Sequence, residues 1–367
     1  MNNKADISTL DNRMTWIRNL EQIESGNSHW MEYEIASEGY INGLLNWASK
    51  SEEGLMLCAC LNNVPDKSGL YYYLLKIKTA ESRGIDTAAK RGYVCPGGII
   101  GELLSIFSLY FCRRFYLVAS YYGELTQKSL KVRTIMPFNR VACSPLLHRN
   151  VFSKKQNHWT GGIHPFLKSI INLDETDHSR FILATYNYAE ALKEIGINSE
   201  MVFVKLVSSI EALSGNIKLD KKDDPLAGTD IEALCNPNIP NKQKEELRKT
   251  FESRKAKARF RVFVEEYSRE TFNGPQEGSL TKVGLKDMGK KLNAIYDARS
   301  AYLHSGEPMY LSQDVFPSKD WDMDASLGMQ MDRKLYTAKQ KLPFIRWFEG
   351  IVRDCLLNFL KKHERTT

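Results

Sequence analysis

In the second half of this 367-residue chain, apolar residues return at intervals of three and four, and that period constrains the fold more than any other feature. Phe181, Ile182, Thr185, Tyr188, Ala189, Leu192 and Ile195 follow one helical stripe, which stops near Gly196. Met201 to Leu213 is apolar on most sides, as a central helix must be. Lys242 to Phe272 is a long charged helical stretch. Leu285, Met288, Leu292, Ile295, Arg299 and Tyr302 make a further stripe, with stop signals at Gly306 and Pro308. Pro343 suits a first helical position, and Phe344, Trp347, Phe348, Ile351, Val352, Cys355, Leu356, Phe359 and Leu360 follow it. The expectation is a bundle of four or five helices, with loops at Asn216–Asn241 and Gly306–Asp332.

The first half reads differently. Gly54 to Leu61 and Tyr71 to Lys78 are strand-like, separated by a turn region at Asn62-Asn-Val-Pro-Asp66. Arg114 to Tyr121 and Leu130 to Ile135 read as further strands, and Pro96-Gly-Gly opens an apolar helical run to Cys112. Gly97-Gly-Ile-Ile-Gly101 has neither the dinucleotide-binding nor the Walker spacing, so it reads as a helix start. Asn150 to Asp174, with Trp159-Thr-Gly-Gly and His164-Pro165, looks like a connection. The fold class expected is α+β: an N-terminal mixed α/β domain over residues 1–165, then an all-α bundle over 166–367.

Composition enters by exclusion. With 43% apolar and 26% charged residues, disorder, collagen and low-complexity fibre are ruled out. The longest apolar stretch, Leu103 to Cys112, lies between Glu102 and Arg113-Arg114 and falls short of the roughly 20 residues a bilayer needs. The N-terminus is charged and polar where a signal peptide needs an apolar core, so a cytoplasmic protein with no membrane partner is expected. Of seven cysteines only Cys58 and Cys60 are close, and no second pair matches them. No zinc site, other metal or cofactor is therefore expected, and the thiols read as reduced.

Two charged residues stand where helical patterns call for apolar ones. Arg299 lies on the face of Leu292 and Ile295, and Glu211 lies on the face of Val204 and Val207. A buried charge is costly unless paired, so an Arg299–Glu211 pair inside the bundle is expected. His304 follows Arg299 by five residues, about 140° round an ideal helix, in line with Asn293, Asp297 and Ser300. It falls in the last helical turn, where the helix C-terminus favours a charged histidine suited to acid–base work. His148, His158, His164 and His178 lie in or near the connection, and His29 and His363 in terminal regions, where surface or structural roles are expected. Asp220, Asp223 and Asp224 sit in a lysine-rich loop and read as solvated charge. The formal charge is +7, and its local concentration matters more: Lys242, Lys244, Arg248, Lys249, Arg254, Lys255, Lys257, Arg259 and Arg261 line one stretch. Such a helix either holds phosphates or is simply a solvated face.

Arg299-Ser-Ala-Tyr-Leu-His304 resembles the Arg-x(4–6)-His signature of HEPN domains, including the polar residue directly after the arginine. The stretches Phe181 to Leu192, Phe203 to Ser214 and Ile295 to Gly306 together look like the ApeA-like HEPN branch, over roughly residues 175–365. The resemblance implies a helical bundle and metal-independent endoribonuclease activity, in prokaryotic antiviral defence or a toxin role. It implies RNA as substrate, a homodimer with facing motif helices, and a phage-derived or antitoxin partner. His304 would then act as general base or acid and Arg299 would stabilise the transition state. Glu211 would orient Arg299, Asp297 or Ser300 would complete the polar network, and Arg254, Lys255, Lys257 and Arg259 would hold the RNA backbone. Nucleotidyltransferase-paired members carry a tyrosine soon after the histidine, whereas Ser305 and Gly306 follow here, which speaks against modification by that antitoxin type. HEPN-like bundles also serve as non-catalytic dimerisation and binding modules, here with an N-terminal sensor domain. That rival reading allows the same Arg–Glu pair to be architectural.

Overall fold

Tyr71-Tyr-Tyr-Leu-Leu-Lys-Ile-Lys, rich in aromatic and apolar strand formers, builds the strand around which the first half is organised. In the computed structural model, which describes residues 19, 28–41, 45–48, 54–60, 64–67, 69–80, 98–122, 162–226, 240–268, 285–309, 330–331, 334–335, 342 and 345–364, this segment lies in strand β4. The sheet contains β1 (Ser28–Ser37), β2 (Leu45–Ala48), β3 (Gly54–Cys60), β4 (Tyr71–Ala80) and β5 (Phe115–Tyr122). Its order is β2-β3-β4-β1-β5, and every neighbouring pair is antiparallel. Tyr73, Leu75 and Ile77 of β4 are buried, one residue in two, as a one-sided sheet requires. Opposite them in register lie Ile35, Tyr33 and Met31 of β1. A register shift between Glu34 and Ile35 marks an irregularity in the β1–β5 ladder.

Helix α1 (Gly98–Phe111) is buried along nearly its whole length. It packs on α3 (Glu175–Glu194), and Cys112, just past its end, takes a left-handed φ of 55°. Helix α2 (Ile163–Ile171) buries Ile163, Leu167 and Ile170 on one face. The second half supplies α4 (Ser199–Ser214), α5 (Asn241–Tyr267), α6 (Leu285–Ser305) and α7 (Ile345–Glu364), with a short hairpin of β6 (Gln330–Met331) and β7 (Lys334–Leu335). The chain divides into two compact units, residues 1–198 with 360–367, and residues 199–359. The first holds the sheet with α1, α2 and α3; the second holds α4, α5, α6 and most of α7.

The fold is thus mixed α+β, with helix the commoner state among the described residues. Strands β3, β4 and β5 and helices α1 and α3 to α7 lie where the sequence pattern puts them, within a few residues. Five elements do not match it, two of them the hairpin strands β6, inside the loop expected at Gly306–Asp332, and β7 just after it. The expected connection at 150–174 holds α2, and β1 and β2 lie ahead of the first strand the sequence suggested. The units divide at Asn198 and Ser199, whereas the pattern marks 165/166. The expected strand at 130–135, the last residues of the 242–272 helix and Pro343 lie outside the described residues. No helix among the described residues is long and apolar enough to cross a membrane.

A charge is buried at the start of β5. Arg114 is fully buried, its Nη2 pairs with Glu38 Oε1, and its Nη1 donates to the Ile195 carbonyl at 3.5 Å. Arg113 Nη1 donates to the Tyr40 carbonyl at 2.9 Å. The loop after β1 fits closely around the Arg113 guanidinium, because a Cβ at Gly39 would collide with Arg113 Nη1. Burial pushes the Glu38 carboxyl up, against the opposing pull of Arg114 and then Arg113.

Two outcomes follow for stability. Arg114→Ala leaves Glu38 buried without its ion-pair partner and is expected to cost about 3–5 kcal/mol in urea denaturation. Because the folded-state value of Glu38 lies above the unfolded one, the native state takes up this proton first on acidification. The stability of the wild type relative to Glu38→Gln should therefore rise as pH falls through the raised folded value. A pH series of denaturation curves checks the sign.

Candidate functional site

Helix α4 is apolar nearly all round: Val202, Phe203, Val204, Leu206, Val207, Ile210 and Leu213 are all buried. Glu211 is the charged residue its second half must accommodate. On α6, Met288, Leu292, Ile295 and Tyr296 are buried at helical spacing, and Arg299 continues that stripe one turn further. The two stripes meet in a charge-assisted contact. Arg299 Nη2 donates to Glu211 Oε2 at 2.8 Å. The side chains keep 18% and 25% of their exposure, so the pair expected deep inside the bundle is half-buried instead.

A third residue completes the arrangement. The Tyr296 hydroxyl donates to Glu211 Oε1 at 2.9 Å. The same ring lies beneath the Arg299 guanidinium, 5.9 Å from Cζ to the centroid. Burial, and then the neighbouring Glu211 carboxylate, push the Tyr296 phenol well above its ordinary range, so it remains a neutral donor. Tyr296 itself is anchored by Phe260 at 5.4 Å between centroids, and Phe260 contacts Phe348, which stacks on Phe203 at 5.5 Å. Sequence reasoning missed Tyr296. The available signal was its place three residues before Arg299, which puts both on one face.

Arg299 is not saturated by these contacts. Its Nε is buried and makes no hydrogen bond among the described residues. His304 is exposed in the last turn of α6, and no hydrogen bond or ion pair joins it to Arg299 among the described residues. The helix ends just beyond it, where Gly306 takes a left-handed φ of 66° and Glu307 N–H donates back to the Ala301 carbonyl at 3.4 Å. Two residues on, Met309 N–H donates to Glu200 Oε1 at 2.7 Å. This bond ties the segment after the histidine to the first turn of α4. Leu303, beside the histidine, is a large apolar residue left 47% exposed.

The other candidates are placed as follows. Asp297 is exposed and bonded through both oxygens to Lys257 Nζ, at 2.6 and 2.7 Å, so it faces α5 and not the Arg299–Glu211 pair. Ser300 is half-buried. On α5, Arg254 is exposed, while Lys255, Lys257 and Arg259 are half-buried. The basic stretch is thus partly neutralised within the fold: Lys257 pairs with Asp297, and Arg261 with Asp223 at 3.1 Å. Asp223, expected as free solvated charge, is in fact partnered by Arg261. His178 is buried in α3, and His363 pairs with Asp177 at 3.2 Å. Among the described residues there is no group of three or more His, Cys, Asp or Glu placed to hold a metal ion.

Compared with known proteins, the chain matches no family model, no curated protein and no solved structure.

The geometry separates two kinds of residue on α6. Removing Glu211 strands a half-buried guanidinium, so Glu211→Ala should lower unfolding stability by about 1–3 kcal/mol. His304→Ala, at an exposed helix end, should leave the melting temperature close to that of the wild type. Thermal unfolding of both variants side by side checks the contrast, and equal large losses would contradict it.

Proposed function

We propose that residues 199–359 form a HEPN-type, metal-independent endoribonuclease centred on Arg299 and His304. One observation carries this reading. A half-buried arginine, held at Nη2 by Glu211 and leaving its Nε unpartnered, precedes an exposed helix-end histidine by five residues. That is an anion-stabilising group and a proton-transfer group on one rigid element. The chemistry asks for little more. A ribose 2′-hydroxyl attacks the adjacent phosphorus, His304 takes or gives a proton, and Arg299 stabilises charge on the phosphorane-like transition state. The products carry a 2′,3′-cyclic phosphate and a 5′-hydroxyl. The nucleophile belongs to the substrate, so the mechanism needs neither a metal nor a covalent enzyme intermediate.

Glu211 orients Arg299 in this proposal. Arg254, Lys255 and Arg259 contact the RNA backbone, and Lys257 joins them on exchanging Asp297 for a phosphate. Ser300 and Asp297 contribute polar groups at the edge of the site. Arg299 and His304 point about 140° apart on one helix, so a single copy converges poorly on one phosphate. A two-fold axis beside the end of α6 supplies the second set, and the exposed Leu303 fits such an apolar contact. The setting proposed is the cytoplasm of a prokaryote, in antiviral defence or as a toxin, with residues 1–198 sensing a phage-derived or antitoxin partner. The second reading is a non-catalytic dimerisation module. The observation favouring it is that His304 and Arg299 share no hydrogen bond, while Lys257 is already paired.

The experiment is incubation of purified protein with total RNA. Cleavage is expected to persist in excess EDTA and to vanish in His304→Ala. Complete loss in EDTA with recovery on adding Mg²⁺ or Mn²⁺ would sink the mechanism. The dimer has its own measurement. Mixed dimers of wild type and His304→Ala, formed by subunit exchange, should run at less than half the wild-type dimer's rate. A fully active monomer in sedimentation and single-turnover assays refutes the composite site.

A further inference from the structure

Tyr296 touches both members of the charged pair at once, and neither the sequence pattern nor the proposed chemistry gives it a task. Its hydroxyl takes one oxygen of Glu211, and Arg299 takes the other. A carboxylate held by one donor swings about its own axis. Held at both oxygens from two residues of the same helix, it is fixed in plane. The Tyr296 ring meanwhile lies against the guanidinium it helps to aim. The ring is itself wedged against the fully buried Phe260. The core of the bundle thus reaches Arg299 by a short chain: Phe203, Phe348, Phe260, Tyr296, Glu211, Arg299.

We infer that Tyr296 is a positioning residue for Arg299, fixing the guanidinium by locking Glu211 through its hydroxyl and supporting it through its ring. The inference rests on the proposed role of Arg299 in RNA cleavage, but its geometric half stands without that role. Tyr296 is not a proton donor to substrate, because its hydroxyl is committed to Glu211. The neutral phenol favoured by burial keeps that hydrogen bond in place. The Arg299 Nε is buried and makes no hydrogen bond among the described residues, so the Nη2 contact to Glu211 is the one that aims the guanidinium.

Two measurements test this on the full-length protein. In the first, Tyr296→Phe, which keeps the ring and loses the hydroxyl, is assayed on RNA. A fall in kcat of about tenfold, with KM within about twofold, is expected from losing one hydrogen bond to a charged group. The double variant with Glu211→Gln should lose less than the product of the two single losses. In the second, the guanidinium of Arg299 is followed by ¹⁵N NMR, with Arg299→Lys to assign its signals. Rotation about the Cζ–Nη bonds should speed up in Tyr296→Phe while the melting temperature moves little. An unchanged rotation rate overturns the inference, whatever the activity shows. Should wild-type protein leave RNA intact while Tyr296→Phe still frees the guanidinium, the endoribonuclease reading fails and the positioning role stands. Cleavage by Tyr296→Phe at the wild-type rate, with multiplicative losses in the double variant, removes the positioning role and leaves the endoribonuclease reading intact.

Discussion

A guanidinium in an apolar helix stripe needs a carboxylate, and the helix that supplies it is thereby fixed in register and rotation. In residues 199–359 that constraint acts between α6 and α4. Arg299 occupies a position that Met288, Leu292 and Ile295 mark for the core, so its charge cannot be fully solvated. Glu211 on α4 answers it at 2.8 Å. Once that contact is made, the two helices can neither slide by a turn nor rotate by a residue without stranding a charge. Tyr296 and the aromatic contacts behind it then extend a local electrostatic requirement into the packing of α5 and α7. The sheet unit solves the same problem with Arg114 and Glu38, but with both groups sealed from solvent. The two pairs differ in what they leave over. The Arg114 pair lies wholly inside the fold, whereas the Arg299 pair keeps a path to solvent.

How much of this was legible in the sequence depends on the period of each element. Helices α3, α4, α6 and α7 carry long apolar stripes, and a stripe of four turns has little other meaning. The Arg299–Glu211 pair was legible for the same reason, since two charges out of pattern on two apolar helices demand each other. Strand β1 was not legible, because Glu32 and Glu34 interrupt its apolar run. Glu32 is nonetheless buried, through its pairing with Lys76 on β4, a contact made across 44 residues of chain that no local pattern records. Helix α2 was hidden by its surroundings. Glycines and a proline near Ile163 signal a turn, and only three apolar residues mark its buried face. Tyr296 was missed because no local pattern records that its hydroxyl reaches Glu211, 85 residues away on another helix.

Helix geometry also separates stability from reactivity along α6. Arg299 faces the bundle and His304 faces water, although five residues separate them. The half-buried residue gains rigidity from the core at the cost of access. The exposed residue has access, and its position depends on how the helix ends. Gly306 ends it with a left-handed turn, and Glu200 holds the following segment by the Met309 amide. A histidine on a fraying last turn would sample many orientations. This one sits just ahead of a stop that is tied to the first turn of α4, so both ends of the motif are referenced to the same helix.

The electrostatics of the neighbouring face set a threshold for the proposed substrate. Lys257 reaches the carboxylate of Asp297 through two short hydrogen bonds, and Arg261 is shared between Asp223 and Glu265. A basic stretch that is internally paired does not attract anions as its raw charge suggests. A phosphate arriving at α5 must compete with Asp297, which is 64% exposed and held by an ion pair of the kind worth about 0–1 kcal/mol. That is a low barrier, because an exposed pair recovers hydration as it opens. A lone phosphate has no condensed counterions to release and merely exchanges one anionic partner of Lys257 for another, whereas a polyanion releases counterions at each position it engages. Under the proposed RNA-cleaving role the arrangement would discriminate by valence: isolated small anions would gain little by opening the pair, whereas a nucleic-acid backbone would gain at each phosphate it placed along Arg254, Lys255 and Lys257.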